Sequence, residues 1–496
     1  LRPAQIFESF LGRAPRWYKI TILLLLALNP LVLGVAGAIV TGWLVLAEFI
    51  FVLAMTLKCY PLQPGGLLAL ETVLMGMTNP ELTYQEVVRG FPVLLLLMFM
   101  VAGVHFLRDL LLAAFTRLLL AVRSKALLGF TFCLVAAVLS AFVDALTVLA
   151  VVITVGAGIY GVYHRVACGR RDEDVHELAD DSGIKVAQRD DLETFRAFLR
   201  SLMMHAAVGT ALGGVCTLVG EPQNLLVGER AGWDFAEFFL KVAPVSMPVL
   251  VIGLVLSIVL ERLGWFGYGA PLPARVRKEL VAWADDQAAR RTPAQRWNLW
   301  VQATGVVVLV LALAFHVAEV GLIGLLLIVF VTAFTGIVEE HRLGEAFQEA
   351  LPFTALLVVF FVIVSFINAQ DLFRPVMEKV LALDGRTQLG MFYLANGALS
   401  AISDNVFVAA VFIHEIERPL MGHALSREQF DAMVVALNTG VNIPSIATPN
   451  GQAAFLFLLS SSLAPLIQLS YSRMLWMALP YFVPTTLVGL FAVLRL

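Results

Sequence analysis

The sequence predicts an all-α polytopic membrane protein of about a dozen membrane segments, with inverted-topology repeats, re-entrant hairpin tips and broken helices. Three observations carry that reading: an extreme composition, a succession of apolar runs, and an internal repeat built around an aspartate. Of the 496 residues 59% are hydrophobic and 14% charged, whereas soluble domains run at roughly 45–50% apolar and about 25% charged. The mean hydropathy is +0.86. Too few charges remain to coat a water-exposed surface, which excludes a soluble enzyme, a nucleic-acid binder and a disordered regulator. A net charge of −3 names no polyanionic partner.

A helix needs roughly 20 apolar residues to cross the hydrocarbon core. Runs that approach this length lie at 20–38, 42–58, 91–107, 127–143, 145–163, 202–228, 235–260, 299–316, 319–337, 352–368, 388–403, 405–416, 430–460 and 462–494. The first is interrupted by Asn29-Pro30 and followed at once by another, so it reads as a span and not as a signal peptide. The chain opens on Leu1, and a few residues are expected to precede it. Asn29-Pro30 itself reads as a kink. Glu48, Glu71 and Glu319 lie near run ends, where a structural, snorkelling carboxylate is the favoured reading. The four cysteines form no CxxC pair or metal-ligand spacing and read as small hydrophobes.

Two polar stretches, 165–196 and 261–298, carry mixed charge and read as solvated loops or surface helices. With the run pattern they divide the chain into five parts. Residues 1–125 hold N-terminal scaffold spans and, at 110–120, a helix lying in the interface. Residues 126–260 hold the first repeat, and 261–298 a cytoplasmic linker. Residues 299–385 hold scaffold spans of the second half, and 386–496 the second repeat. Arg13, Arg16 and Lys19 before the first span place the N-terminus in the cytoplasm.

The repeat is the most informative feature. Residues 139–152 read LSAFVDALTVLAVV and residues 399–412 read LSAISDNVFVAAVF, with seven of 14 positions identical and no gap. Each copy is followed by a polar interruption inside an apolar run, TLVGEPQN at 217–224 and SIATPNGQ at 445–452. Gly and Pro break helical hydrogen bonding, and within a bilayer the freed groups survive only if buried in protein or lining a wet cavity. Interrupted segments at matching places in two halves mark a secondary-transporter site. Basic residues bracket the first copy far more than the second, so the copies are expected to be inverted.

Asp144 and Asp404 are the expected ion-binding and proton-exchange residues. A carboxylate near the bilayer centre costs at least ~2.5–3.5 kcal/mol. Apolar surroundings favour the neutral acid and a bound cation favours the carboxylate, so one site can exchange H⁺ for a metal cation. The bland alternative is a carboxylate held in a packing network. Ser140, Thr147, Thr217, Ser403, Asn405, Ser445, Thr448 and Asn450 supply the neutral oxygens a hard cation such as Na⁺ prefers. Any of these can instead back-bond within its helix. Glu221 is a candidate third carboxylate, Asn224 a further polar group of the first break, and Asn438, Thr439 and Asn442 approach the second. His205 is a possible pH sensor, although a lone histidine in an apolar segment is more often a packing residue. No Walker loop or intramembrane-protease Gly-x-Gly-Asp pattern occurs, so an enzyme is not expected. A channel would not need paired broken segments.

The tip-and-break arrangement resembles the ion-transporter superfamily of divalent-anion/sodium symporters and arsenite permeases. The symporters carry Ser-Asn-Thr at each tip, whereas here Val143-Asp144-Ala145 and Ser403-Asp404-Asn405 stand there. The added negative charge disfavours an anion substrate. Within that superfamily the chain is similar nearly end to end to the NhaB family of sodium/proton antiporters. The strings that carry this are WYKITILLLLALNPL, AEFIFVLAMTLKCYPLQPGGLLA, FVDALTV, RSLMMHAAVGTALGGV, VGEPQNLL, SAISDNVF, ATPNGQAAFLFLLSSSLAPLI and RMLWMALPY. The resemblance implies a bacterial inner-membrane antiporter that expels Na⁺, and also Li⁺, against inward H⁺, with no cofactor and a scaffold that forms a homodimer. Sodium-coupled symport of a small organic anion is the alternative.

Overall fold

The computed structural model describes residues 3–168, 178–181, 183–184, 186–383, 385–422 and 425–496; the remainder of the 165–196 stretch lies outside them. Among the described residues the chain is helical throughout, without a strand. Six helices are long and apolar enough to cross a membrane: Arg16–Ala54, Ala145–Cys168, Phe235–Leu263, Pro293–Ala314, Ala350–Ala369 and Tyr471–Val493. The pair Pro80–Arg89 and Phe91–His105, bent by 60°, forms either a broken seventh span or a re-entrant loop. Their outer faces are apolar: Val35 is 91% exposed and Trp300 72%. Exposure of that kind over whole helices identifies lipid as the solvent.

Arg16–Ala54 is one helix in name only. Gly37 sits at φ 81°, ψ 175°, a conformation that glycine adopts without steric cost. Asn29 and Glu48 would stand about 28 Å apart on a straight helix at 1.5 Å per residue, yet their side chains touch at 2.8 Å. The chain therefore doubles back at Gly37, in keeping with the two apolar runs that meet there. Leu62–Leu74 packs beside this hairpin and against Glu340–Ala369.

In the first repeat, Lys125–Ser140 and Ala145–Cys168 form a helical hairpin with its tip at Asp144. Val186–Gly214 packs closely along its first arm. That closeness needs glycine, because a Cβ on Gly209 would lie 2.3 Å from the Cys133 carbonyl oxygen and one on Gly213 1.9 Å from that of Ala137. Small residues four apart let membrane helices approach in this way. The second repeat has the hairpin Gly385–Ile402 and Asn405–Met421, with Arg427–Asn442 alongside. There Gly440 meets Tyr393 as Gly209 meets Cys133, and Pro444 meets Gly397 as Gly213 meets Ala137. The residue offsets, 260 along the hairpins and 231 along the broken helices, are the same at both contacts. Gly213→Ala is expected to lower the yield of folded, monodisperse protein, since overpacking costs about 1–3 kcal/mol. Fluorescence-detected gel filtration measures it, and a wild-type yield would contradict the close approach.

Beyond its break each helix changes partner. Pro222–Ala231 packs on Asn405–Met421 of the second hairpin, and Ala453–Ser460 packs on Ala145–Cys168 of the first. The two repeats are thus interlocked through their breaks.

Both polar stretches hold helix, as the loop-or-surface-helix reading allows, but the first also buries a charge. The one at 165–196 is not loop to its end, since Val186–Gly214 begins well before the apolar run at 202. Arg196 is buried there, its charge matched by Asp181 at 2.8 Å and Glu193 at 2.6 Å. The guanidinium can be buried because it is paired and each of its nitrogens has a hydrogen-bond partner. Burial is the largest single influence on Asp181 and resists its ionisation, but the bonds and charges of Arg196 and His164 together outweigh it and hold the carboxyl below the usual range. In the second stretch Ala274–Ala289 forms a helix, and Arg277 ties it to the carbonyls of Leu120 and Val122.

Candidate functional site

Both tips end a helix and start another. Asp144 precedes Ala145–Cys168, and its Oδ2 accepts from the Thr147 amide at 3.2 Å and the Thr147 hydroxyl at 3.4 Å. Asp404 caps Asn405–Met421, its Oδ1 accepting from the Val406 and Phe407 amides at 2.8 and 3.2 Å. Each carboxylate thus satisfies amides that a helix start leaves open, at the positive end of the helix dipole. Both also border open space. They line one cavity of about 550 Å³ together with Thr147, Ser403 and Asn450. Thr56 and Tyr60 close it from the N-terminal part, and Phe353 and Leu356 from Glu340–Ala369.

The breaks are held against the tips by the same bonds in both repeats. Thr217 donates its hydroxyl to the Ala141 carbonyl, and Thr448 donates to that of Ala401. Ser140 donates to the Thr210 carbonyl at 2.8 Å, and Ser400 to that of Val441 at 2.7 Å. Donor and acceptor keep the 260 and 231 offsets. Gly220 and Gly451 sit where a Cβ would come 2.8 Å from the Ser140 and Ser400 carbonyl oxygens, respectively, so only glycine lets the breaks lie this close.

The expected ligands therefore fall into two groups. Thr147, Ser403 and Asn450 face the cavity. Asn450 also reaches the first part of the chain, donating to the Ala54 carbonyl at 2.6 Å. Ser140, Thr217, Asn224, Ser445 and Thr448 hold the breaks in shape: Asn224 donates to the carbonyls of Gly214 and Thr217, both at 2.7 Å, and Ser445 to that of Asn442. Asn405 is buried behind the tip, with its Nδ2 unpartnered. Glu221 is 3% exposed, its Oε1 has no partner, and it lies within electrostatic reach of both Asp144 and Asp404. Gln223 bonds the carboxyl, and a carboxylate buried among like charges is still costly unless a proton or cation joins it.

Two site residues escaped the sequence reading. Gln452 occupies the position in the second break that Glu221 holds in the first, and both its amide atoms are buried without partners. The 231 offset could have found it. Gln223 donates to Asn442, whose Nδ2 donates in turn to Asn224 at 3.0 Å, joining the two breaks across 218 residues of chain. His205 lies apart from the cavity. Its Nδ1 pairs with the Tyr481 hydroxyl at 2.6 Å and its Nε2 with Glu261 at 2.9 Å, and Tyr268 stacks on the ring.

The family model described as "Bacterial Na+/H+ antiporter B (NhaB)" matches residues 3–495. A protein of Pseudomonas entomophila named Na(+)/H(+) antiporter NhaB is 60% identical over 98% of this chain and 97% of its own length. Proteins of the same name from Pseudomonas fluorescens and Marinobacter nauticus are 60% and 58% identical, over 99% and 98% of this chain and 98% and 97% of theirs. Among solved structures, MtrF of Neisseria gonorrhoeae, described as illuminating a class of antimetabolite efflux pumps, aligns at 14% identity. Its TM-score is 0.48, over 86% of this chain and 84% of that one.

Proposed function

The chain belongs to the NhaB family of bacterial Na⁺/H⁺ antiporters, and on that premise we propose how its own residues perform the exchange. It is a multi-pass membrane transporter and not an enzyme. In the proposed cycle Asp144 and Asp404 hold Na⁺ from the cytoplasm, with oxygens of Thr147, Ser403 and Asn450 completing its shell. The observation that carries this is that both tip aspartates line a single cavity. Protonation of the carboxyls on the far side displaces the ion, and the tips and breaks return carrying protons. Glu221 and Gln452 lie buried in the two breaks, Ser140, Thr217, Asn224, Ser445 and Thr448 keep the breaks in register, and Asn405 stands beside the second tip aspartate. Hard oxygen ligands suit Li⁺ as well as Na⁺. No cofactor enters the cycle.

An anion symporter is not favoured: carboxylates at both tips repel an anionic substrate, and the relatives are named antiporters. The two readings separate in everted vesicles. Added Na⁺ alone collapses a respiration-generated ΔpH in an antiporter, read as acridine-dye dequenching; a requirement for an organic anion would overturn the proposal.

We also propose the finer membrane arrangement. Lys125–Ser140 has 16 residues, about 24 Å at 1.5 Å each, short of the ~30 Å hydrocarbon core. This short arm supports a re-entrant hairpin whose other arm, Ala145–Cys168, is itself long enough to cross, and with the broken helices the count approaches a dozen segments. The basic N-terminus faces the cytoplasm of an inner-membrane protein, the repeats are inverted, and the exposed apolar face of the N-terminal spans meets a second copy. Arg290→Cys should then react with an impermeant maleimide only from the cytoplasm, and Gly422→Cys only from outside. Labelling of both from one side would exclude inversion.

His205 is proposed as the pH sensor, since the Glu261 and Tyr481 side chains bonded to it join Val186–Gly214 to Phe235–Leu263 and Tyr471–Val493, with Tyr268 stacked on the ring. His205→Gln is expected to move the pH of half-maximal rate by about half a unit or more, leaving the half-saturating Na⁺ concentration at fixed pH within about twofold. An unmoved profile assigns the histidine to packing.

A further inference from the structure

Away from the exchange cavity, the helices Arg108–Ala121 and Ala274–Ala289 flank a groove of about 460 Å³, and the start of Pro293–Ala314 forms its third wall. The walls are tied together at both ends. Gln302 accepts from the Leu110 amide at 2.7 Å, one of the amides that a helix start leaves without a helical partner. At the other end Arg277 donates to the Leu120 and Val122 carbonyls at 3.0 and 3.3 Å. Leu111, Phe115 and Leu119 are buried in the core, so the face of the same helix carrying Leu112, Thr116 and Arg117 is left to line the groove.

Two observations fix what the groove can hold. The first is depth. Asn298 and Leu299, which line it, lie in the first two turns of a helix that crosses the membrane. Trp297 and Trp300 in the same turns are 57% and 72% exposed, and exposed tryptophan collects at the level of lipid headgroups. The second is charge. Arg117, Arg290 and Arg291 line the groove against a single acid, Asp109. Arg290 is held by Asp286 at 2.9 Å. The side chains of Arg117 and Arg291 have no ion pair and no hydrogen bond among the described residues.

We propose that this groove binds an anionic phospholipid, with its phosphate between Arg117 and Arg291. A guanidinium matches phosphate with two parallel hydrogen bonds, and basic pockets beside membrane helices take phospholipid headgroups. The rest of the lining suits the glycerol backbone and upper acyl chains: Leu112, Ala113 and Leu299 are apolar, and Trp283 presents a half-buried ring. A soluble anion would meet the same arginines but would leave that apolar wall uncovered. The bound lipid would join Ala274–Ala289 to Arg108–Ala121, which itself packs on Ala145–Cys168 of the first hairpin. The proposal rests on the membrane reading of the chain and not on the roles of Asp144 and Asp404.

The test is native mass spectrometry of the full-length protein, delipidated in detergent and titrated with phosphatidylglycerol or phosphatidylcholine. Wild type is expected to retain one more phosphatidylglycerol per chain than the variant Arg117→Gln/Arg291→Gln. In that variant the concentration for half occupancy should rise about tenfold or more. A second variant, Arg342→Gln/Arg374→Gln, removes the same charge from exposed positions elsewhere and should bind as wild type does. Arg117 and Arg291 make no side-chain bonds within the fold, so gel filtration should show the groove variant folded. Equal phosphatidylglycerol binding by wild type and the groove variant overturns the proposal, as does an equal loss in both variants or an equal affinity for phosphatidylcholine. Displacement of the bound lipid by millimolar glycerol 3-phosphate would also overturn it, assigning the arginines to a soluble anion.

Discussion

Asp144→Asn and Asp404→Asn are each expected to lower Na⁺-driven proton movement by about a hundredfold or more in everted vesicles, at unchanged membrane insertion. The physical basis is the dual role of each residue. Asn ranks with Asp as a helix cap, so the bonds from Thr147 and from Val406 and Phe407 are replaced in kind and the helix starts survive. What is lost is one negative charge and one exchangeable proton. A hydrogen bond or ligand contact to a charged group contributes about 1.5–3 kcal/mol, which alone corresponds to ten- to hundredfold in Na⁺ affinity. The missing proton acceptor removes the return half of the cycle as well. Exchange close to wild type in both variants, at confirmed expression, would assign the aspartates to capping only. Asp→Glu keeps the charge but lengthens the arm, so it should leave measurable exchange with an altered pH dependence.

Competition between the ions should appear directly in binding. If Na⁺ and H⁺ share Asp144 and Asp404, a protonated carboxyl is one ligand fewer. The apparent Na⁺ affinity therefore falls as pH falls, and it approaches a constant as pH rises and the carboxyls ionise. Where the site is mostly protonated, displacing one proton per Na⁺ weakens the affinity tenfold per pH unit, equivalent to ~1.4 kcal/mol. Two coupled carboxyls, joined by a nearby Glu221, titrate as a set, so the curve reports macroscopic constants. The measurement is the half-saturating Na⁺ concentration in proteoliposomes from pH 6.5 to 9. A flat affinity with a changing maximal rate would move the pH dependence away from the cavity and onto His205.

Much of this molecule was legible in one dimension because its solvent is lipid. A bilayer demands long apolar runs and internally satisfied backbone, so spans, breaks and intramembrane aspartates stand out against their background. The repeat around Asp144 and Asp404 was visible for the same reason, and so was the likeness to the antiporter family. The structure adds that the repeat extends to bonds, with Thr217 on Ala141 matching Thr448 on Ala401.

The composition, the order of hydrophobic runs, the two tips and the two breaks belong to the chain as written, since they depend only on which side chains can leave water and which residues can continue a helix. Other features depended on contacts between residues far apart in sequence. Glu48 reads as an exposed run-end carboxylate until Gly37 folds it against Asn29 and Glu71. Arg196 reads as solvated until Asp181 and Tyr160 enclose it. Gln223 and Asn442, 219 residues apart, read as unrelated until the breaks meet. A buried polar group carries no local signature of its partner: hydropathy reports the cost of burying it, and only the folded chain supplies the atoms that offset that cost.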